Sequence, residues 1–269
     1  MILLPSREPD YAAFLRDTLP RQAASMAPHV AYGRRVWLKK AGPRNPRWRY
    51  AVMGAIAGLA RLEMLRPVMN LGGAAAIAHE ARRLRELAAL GLRVPTVLAE
   101  SPHGLLIDDL GQGQPVGTLL GHVSQAALRN GDEALAQWQR GLDAIALVHA
   151  RGSYLSQAFA RNLVACPDGV IGYIDFEDDP GATIDLTHCQ ARDWLSYLHS
   201  TALYVQGDPD VRAAARARWQ AVIAADGPAV AEAVAQAASR MGWLRHLPSG
   251  AHWGTDVRRL RAAVQFLRG

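Results

Sequence analysis

Residues 149–180 read HARGSYLSQAFARNLVACPDGVIGYIDFEDDP, and no other stretch of the chain says more about its fold. The segment before it, Gln125 to Arg151, has apolar residues at helical spacing. Two short strands are then predicted, Asn162 to Ala165 and Val170 to Phe176, on either side of a Pro-Asp-Gly turn. The second strand brings an acidic residue, Asp175, to its far end.

Asn162 and Asp175 carry oxygen atoms of the kind that a nucleotide-bound divalent cation requires. Magnesium is typically held by only one or two protein oxygens, together with phosphates and water. An amide and a carboxylate on neighbouring elements therefore indicate a metal site for phosphoryl transfer. The alternative interpretation of Asp175 is an acidic residue that caps the end of a strand.

The stretch resembles the catalytic loop of the protein kinase superfamily, which runs His-x-x-Gly, then Asp, then Asn five residues later, then a hairpin and Asp-Phe-Gly. His149 and Gly152 occupy the opening positions, and Asn162 stands at the Asn position. Asp175-Phe176-Glu177 stands where Asp-Phe-Gly would be. This variant is more similar to bacterial lipopolysaccharide core (Kdo/heptose) kinases and related atypical small-molecule kinases than to eukaryotic protein kinases. In such a loop, His149 is a structural residue.

Segments upstream follow the order of parts in the same superfamily. Val36-Trp37-Leu38-Lys39 resembles the strand that carries the phosphate-binding lysine. Glu80, in a helix predicted from Ala74 to Leu90, resembles the ion-pair partner of that lysine. The segments GLRVPTVLAE (91–100) and GLLIDDLG (104–111) resemble the strands that lead to the hinge between lobes.

The resemblance implies an α+β, two-lobed, protein-kinase-like fold. Residues 1–110 would form a small mixed N-lobe with a helical insertion at about 43–73, and residues 111–269 a mainly helical C-lobe. The implied cofactors are ATP and Mg²⁺. The implied reaction transfers phosphate to a hydroxyl of a sugar or a lipid-linked saccharide.

The resemblance also assigns roles to four side chains. Lys39 would hold the phosphates of the nucleotide, and Glu80 would orient Lys39. Asn162 and Asp175 would hold the metal. Lys39, Asn162 and Asp175 are thus the expected catalytic residues, and Lys39 and Glu80 the expected cofactor-binding residues.

Two departures from the family pattern concern catalysis. Gln157 stands at the position of the catalytic Asp, and glutamine cannot serve as a general base. No GxGxxG loop precedes Val36, where Gly33 is the single candidate. Two hypotheses follow: a phosphotransferase that works by positioning and metal electrostatics, or a pseudokinase that binds nucleotide or a protein partner without turnover. Candidates to compensate for the missing base are Ser156, Arg161 and Asp179.

Several of these assignments have competitors. Side chains alternate along a strand, so either Lys39 or Lys40 would point inward. Glu80 would pair with Arg83 if that helix face were simply solvated. Asp185 resembles the acid that braces the catalytic loop, although a helix N-cap explains it equally well.

Composition excludes several other classes of protein. The chain has 269 residues, 50% of them apolar, with a net charge of +6 and a pI near 9.7, which favours a folded globular protein. Its arginines are spread over helical segments rather than clustered, so nucleic acid is not an expected partner.

Cys166 and Cys189 are the only cysteines, which indicates a reducing compartment. The N-terminus lacks the long apolar core of a signal peptide, so a cytoplasmic location is expected.

One local concentration of basic residues precedes the apolar run 51–60; it consists of Arg44, Arg47 and Arg49 beside Trp48. Residues 48–65 have helical spacing and would pack on the N-terminal half as an inserted helix. The alternative is peripheral contact with an anionic membrane at its inner face, which would suit a lipid-linked substrate.

Overall fold

The computed structural model describes residues 8–42, 72–242 and 255–268. The predicted helical insertion and its basic lead lie almost wholly outside the described residues. The described part is mixed α+β, with eight α-helices and two small antiparallel sheets. The α+β fold class predicted from the sequence is therefore confirmed.

The first elements of the chain form a four-stranded sheet and two helices. These elements are α1 (Tyr11–Thr18), β1 (Met26–Ala31), β2 (Arg34–Lys40), α2 (Gly73–Ala89), β3 (Val97–Ser101) and β4 (Gly104–Asp108). The strand order of the sheet is β1-β2-β4-β3, and every neighbouring pair is antiparallel.

The segment from Val30 to Lys40 contains the end of β1, a hairpin turn and the whole of β2. Tyr32 and Gly33 lie at the tip with φ of 50° and 76°. Positive φ at both central residues is the requirement of a type I′ turn, the usual connection in a two-residue hairpin. Gly33 is thus a turn residue.

The two faces of this sheet pack on different partners. Val36 and Leu38 are buried with Leu15 of α1, in a small cluster completed by Ala31 and Leu106. The opposite face carries Trp37 and Lys39, and its apolar residues join the main core together with α2. The alternation along β2 thereby directs Lys39 toward α2.

The remaining elements are mostly helical. These elements are β5 (Gly117–Thr118), α3 (Leu119–Arg129), α4 (Gly131–Ala150), β6 (Leu163–Ala165), β7 (Ile171–Tyr173), α5 (Leu186–Thr201), α6 (Pro209–Ala225), α7 (Pro228–Arg240) and α8 (Thr255–Arg268). The three strands form a second sheet in the order β5-β6-β7.

Two predicted elements have different limits in the structure. The single helix predicted from Gln125 to Arg151 is interrupted at Asn130, whose backbone is extended and whose Oδ1 accepts from the amide of Asp132 at 2.7 Å. Asparagine favours the N-cap position because its side chain satisfies amides that the new helix leaves unpaired. The predicted strand to Phe176 ends at Tyr173, before the left-handed backbone of Asp175 at φ 72°.

One large apolar cluster runs from α2 and β4 through the helices that follow. Trp138, Trp194 and Tyr197 are fully buried in it. The hydroxyl of Tyr197 donates to the carbonyl of Trp138 at 2.7 Å, and Trp138 Nε1 donates to Thr201 Oγ1 at 2.9 Å. The buried aromatic polar groups are therefore satisfied inside the core.

No helix within residues 8–42, 72–242 and 255–268 combines the length and the apolar character needed to cross a bilayer.

Candidate functional site

The ammonium group of Lys39 lies among carboxylates from two other segments. Its Nζ is 2.8 Å from Glu80 Oε2 on α2 and 3.6 Å from Asp175 Oδ1. It is also 2.8 Å from Glu177 Oε1. Three residues chosen from the sequence thus meet in space, joined by Glu177, to which sequence analysis gave no role.

Burial distinguishes the members of this cluster. The side chain of Lys39 is 12% exposed and that of Glu80 only 4%, whereas Asp175 and Glu177 are 43% and 39% exposed. The Lys39–Glu80 pair therefore forms the buried base of the site. The other two carboxylates form its accessible rim.

The structure distinguishes Lys39 and Glu80 from their competitors. Lys40 Nζ donates to the backbone carbonyl of Gln22 at 2.7 Å, away from the cluster. Arg83 pairs with Glu86 at 2.7 Å and donates to the carbonyl of Tyr154, so it does not neutralise Glu80. Glu80 is buried rather than part of a solvated helix face.

Electrostatics keep Lys39 charged. Burial alone would lower the pKa of Lys39, but the carboxylates of Glu80, Glu177 and Asp175 outweigh it and raise that pKa above its ordinary value. Burial likewise raises the pKa of Glu80, and Lys39 opposes that rise. A cationic lysine here can bind an anionic group, provided that the surrounding carboxylates are compensated.

Asn162 is connected to Asp175 through the backbone. The amide of Ile174 donates to the carbonyl of Asn162 at 3.0 Å, which fixes the residue before Asp175 beside Asn162. The Asn162 side chain is buried, and its Nδ2 donates to the carbonyl of Gln157 at 3.1 Å. Asn162 therefore lies next to the cluster without belonging to the ion pairs of Lys39.

Asp193 of α5 braces the loop that contains Gln157. Its Oδ2 accepts from the amide of Leu155 at 2.5 Å and lies 3.3 Å from Nε2 of the buried His149. Asp185, by contrast, caps α5 by accepting from the amide of His188 at 2.9 Å. The N-cap interpretation of Asp185 is the one that the structure supports. Asp193 was not among the residues chosen from the sequence.

The segment that follows Asp175 contacts both this loop and α2. Gln157 Nε2 donates to the carboxylate of Asp178. Asp179 is engaged elsewhere, with Arg82 at 3.3 Å and with the hydroxyl of Tyr154 at 3.3 Å. The carboxylate beside Gln157 is therefore Asp178, which was not among the candidates chosen from the sequence.

The other two candidates have different surroundings. The guanidinium of Arg161 lies 4.4 Å from the ring centroid of Phe159. Ser156 is buried, with φ 72°. A left-handed backbone at a residue other than glycine is uncommon, and Asp175 shares it. Such conformations persist only where the surrounding structure imposes them.

The described residues could hold magnesium only together with a phosphate-bearing ligand. No group of three or more His, Cys, Asp and Glu side chains within them is arranged to hold a metal alone. Magnesium usually keeps several waters and binds through one or two carboxylates plus substrate phosphates. Asp175 and Asn162, the metal ligands expected from the sequence, could act only in that mode, in which the ligand brings much of the coordination sphere.

A polar cleft of about 530 Å³ lies at the other end of β2. Gly33 and Arg35 line it from the hairpin, and Asp109 lines it from the segment after β4. The carboxylate of Asp109 accepts from Trp37 Nε1 at 2.8 Å and from the amide of Gly113 at 2.8 Å. The connection after β4 is thereby tied to the strand that carries Lys39.

Comparison with known proteins does not assign the chain to a family. No protein-family model matches the chain, and no curated protein matches it significantly in sequence. The function is therefore argued from the residues and their geometry.

Proposed function

We propose that the protein is an ATP- and Mg²⁺-dependent phosphotransferase with a two-lobed, protein-kinase-like fold. Its acceptor would be a hydroxyl of a sugar or a lipid-linked saccharide, as in the lipopolysaccharide core kinases that it resembles. The observation that carries the proposal is the meeting of Lys39, Glu80 and Asp175 in one cluster. These residues come from a strand, a helix and a loop that are far apart in sequence.

The connectivity around the cluster adds support. Kinases use a lysine on a strand, an ion-paired glutamate on the next helix, and an Asn and an Asp on two later loops. Lys39 on β2, Glu80 on α2, Asn162 before β6 and Asp175 after β7 occur in that order. The shared order of these four residues, together with the contacts of Lys39 with Glu80 and Asp175, is more specific evidence than any one motif.

The proposed mechanism assigns each side chain one task. Lys39 would bind phosphate oxygens, and Glu80 would hold its ammonium group in place. Asn162 and Asp175 would hold Mg²⁺, which supplies positive charge to the phosphates when bound. Positioning and charge stabilisation carry most of the rate in phosphoryl transfer, so the glutamine at position 157 does not exclude turnover.

A nucleotide-binding pseudokinase is the second candidate. The observation that favours it is that Glu177 replaces the glycine of Asp-Phe-Gly and makes a 2.8 Å ion pair with Lys39. Phosphates would have to compete with this carboxylate for the lysine. Such a site would bind nucleotide and turn it over slowly or not at all.

The test is nucleotide binding and phosphate transfer by the purified protein, with and without Mg²⁺, for the wild type and Asp175→Ala. We expect metal-dependent transfer that Asp175→Ala abolishes. Asp210→Ala, on the exposed first turn of α6, is the matched control and should leave both measurements unchanged. Nucleotide binding without transfer would favour the pseudokinase, and no nucleotide binding would overturn both candidates.

A lipid-linked acceptor would place the protein at the inner face of a membrane. The support for this is the basic and aromatic residues at 44–49, which lie outside the described residues. Co-sedimentation with liposomes of acidic or neutral lipid tests the idea. Stronger recovery with acidic lipid is expected, and equal recovery from both would count against an electrostatic membrane contact.

A further inference from the structure

We propose that Asp178 supplies the carboxylate that position 157 lacks and accepts the proton of the acceptor hydroxyl. This inference rests on the proposed phosphotransferase function and adds a catalytic residue to it. It starts from the bond between Gln157 Nε2 and the carboxylate of Asp178. The amide at the expected catalytic position thus faces an acid from another segment.

The backbone of Gln157 is hydrogen-bonded to a residue of the proposed metal site. Its backbone carbonyl accepts from Nδ2 of Asn162 at 3.1 Å, and Asn162 is the proposed metal ligand. An acid held by the Gln157 side chain is therefore close to the residues that would bind the metal and the phosphates. Asp178 is also only three residues beyond Asp175, on the same short segment.

Asp178 is held from the side of α2 as well. Its backbone carbonyl lies 3.1 Å from Nε2 of His79, and the adjacent Asp179 lies 3.3 Å from the guanidinium of Arg82. On the side of α5, the Asp178 carboxylate attracts Arg192. Contacts from α2 and from Gln157, together with the positive charge of Arg192, thus hold the segment, and a fixed acid is what proton transfer at a defined position needs.

The proposed step balances as follows. The acceptor hydroxyl oxygen attacks the γ-phosphorus of the nucleoside triphosphate, and its proton passes to a carboxylate oxygen of Asp178. The new P–O bond forms to the acceptor as the bond between the γ-phosphorus and the leaving diphosphate breaks. Asp178 then releases the proton to solvent. A carboxylate has several lone-pair sites, so accepting a bond from Gln157 is compatible with accepting this proton.

The first test is Asp178→Asn, which keeps the shape of the side chain and removes its basicity. We expect kcat to fall by about 10²–10⁴-fold, the usual range for a general base. The Kd of the Mg²⁺–nucleotide complex should stay within about twofold, because Asp178 would act on the acceptor rather than on the nucleotide. The acidic limb of the pH profile of kcat should disappear in this variant.

The second test exchanges the two groups. Gln157→Glu alone places two carboxylates in contact and should lower kcat, because they cannot both ionise freely. Gln157→Glu combined with Asp178→Asn restores one carboxylate and one amide in reversed positions. This double variant should recover a large part of the kcat that Asp178→Asn loses.

Several outcomes would overturn the inference. The inference fails if Asp178→Asn has an unchanged kcat, or if the acidic limb of its pH profile of kcat persists. It also fails if the nucleotide affinity of this variant falls in proportion to kcat. A double variant as slow as Asp178→Asn would assign Asp178 to holding the loop, which also overturns it. A wild-type protein that transfers no phosphate would remove the proposed function itself, and that result is distinct from an active wild type with an equally active Asp178→Asn.

Discussion

The ammonium group of Lys39 faces more carboxylates than one ion pair requires. Glu80 is its buried partner, while Glu177 and Asp175 approach from the accessible side. Three carboxylates around one ammonium group make the cluster negative overall. We therefore expect it to repel a metal-free polyphosphate more than the less negative Mg²⁺ complex of the same polyphosphate. Glu177 is the residue whose charge can be removed without disturbing the buried pair.

We predict that Glu177→Gln makes Lys39 more reactive. One fewer carboxylate lowers the pKa of Lys39, so more of the lysine is the neutral amine at a given alkaline pH. Acylation of Lys39 by a lysine-specific reagent, followed by mass spectrometry, should be several-fold faster. Glu232→Gln, the same change on the exposed face of α7, is the control and should not alter the rate. An unchanged rate in Glu177→Gln would mean that Glu177 does not hold the lysine.

At the scale of elements, the Lys39–Glu80 pair joins β2 to α2. Removing one partner of a buried ion pair leaves the other charge buried without a partner, which destabilises the fold. Replacing both partners by apolar residues often leaves the stability unchanged. We predict that Lys39→Met lowers the free energy of unfolding by about 3–5 kcal/mol, because it leaves Glu80 buried alone. Glu80→Leu should cost less, since Lys39 keeps Glu177 and Asp175.

Urea unfolding checks this asymmetry. Lys39→Met combined with Glu80→Leu should recover most of the stability that Lys39→Met loses. Lys40→Met is the matched control, because the Lys40 ammonium group donates to the backbone carbonyl of Gln22 and pairs with no carboxylate in the described structure, and the change should cost about 1 kcal/mol. Equal losses in Lys39→Met and Lys40→Met would contradict the buried-pair interpretation.

The junction between α3 and α4 depends on one side chain. Asn130 Oδ1 accepts from the amides of Asp132 and Glu133 and so begins α4. Asn130→Ala should lower the free energy of unfolding by about 1 kcal/mol, the usual cost of a lost N-cap. Asn130→Asp keeps the acceptor and should stay near the wild type. Thermal unfolding of both variants decides the point, and an alanine variant as stable as the wild type would show that the cap contributes little.

At the scale of the whole molecule, His149 connects three distant parts of the chain. Its Nδ1 lies 2.7 Å from Asp226, between α6 and α7, and its Nε2 lies 3.3 Å from Asp193 of α5. Both ring nitrogens face carboxylates, which favours the doubly protonated imidazolium. Burial opposes the charge, but the hydrogen bonds to Asp193 and Asp226 outweigh it and raise the pKa of His149 above its ordinary value.

A raised pKa gives stability a definite dependence on pH. The contribution of His149 is complete below the ordinary histidine pKa and is lost as pH rises through the higher pKa of the folded state. We predict that the wild type loses stability relative to His149→Gln from about pH 6.5 upward into the alkaline range, because the pKa of His149 is raised in the folded state. Urea unfolding of both proteins across that range measures the difference in their free energies of unfolding. Parallel plots of these free energies against pH would contradict the prediction.

Local signals in the sequence predicted some parts of the molecule better than others. The helix from Ala74 to Leu90 was recognisable because its periodicity is continuous and its end is marked by Gly91. The break at Asn130 was not, because apolar spacing continues across it. Asp178 and Asp193 acquire their surroundings from contacts with residues far away in the sequence, among them hydrogen bonds across 21 and 38 residues. Such contacts depend on how elements pack, which no short pattern encodes.

The main apolar cluster takes residues from α2 and β4 as well as from the helices after residue 110. Residues 1–110 expressed as a separate fragment would leave their part of this cluster without its partners from the later helices. Such a fragment would aggregate or remain unfolded rather than bind ligands on its own. The intact chain should accordingly melt in a single cooperative transition, with the first sheet and the later helices lost together.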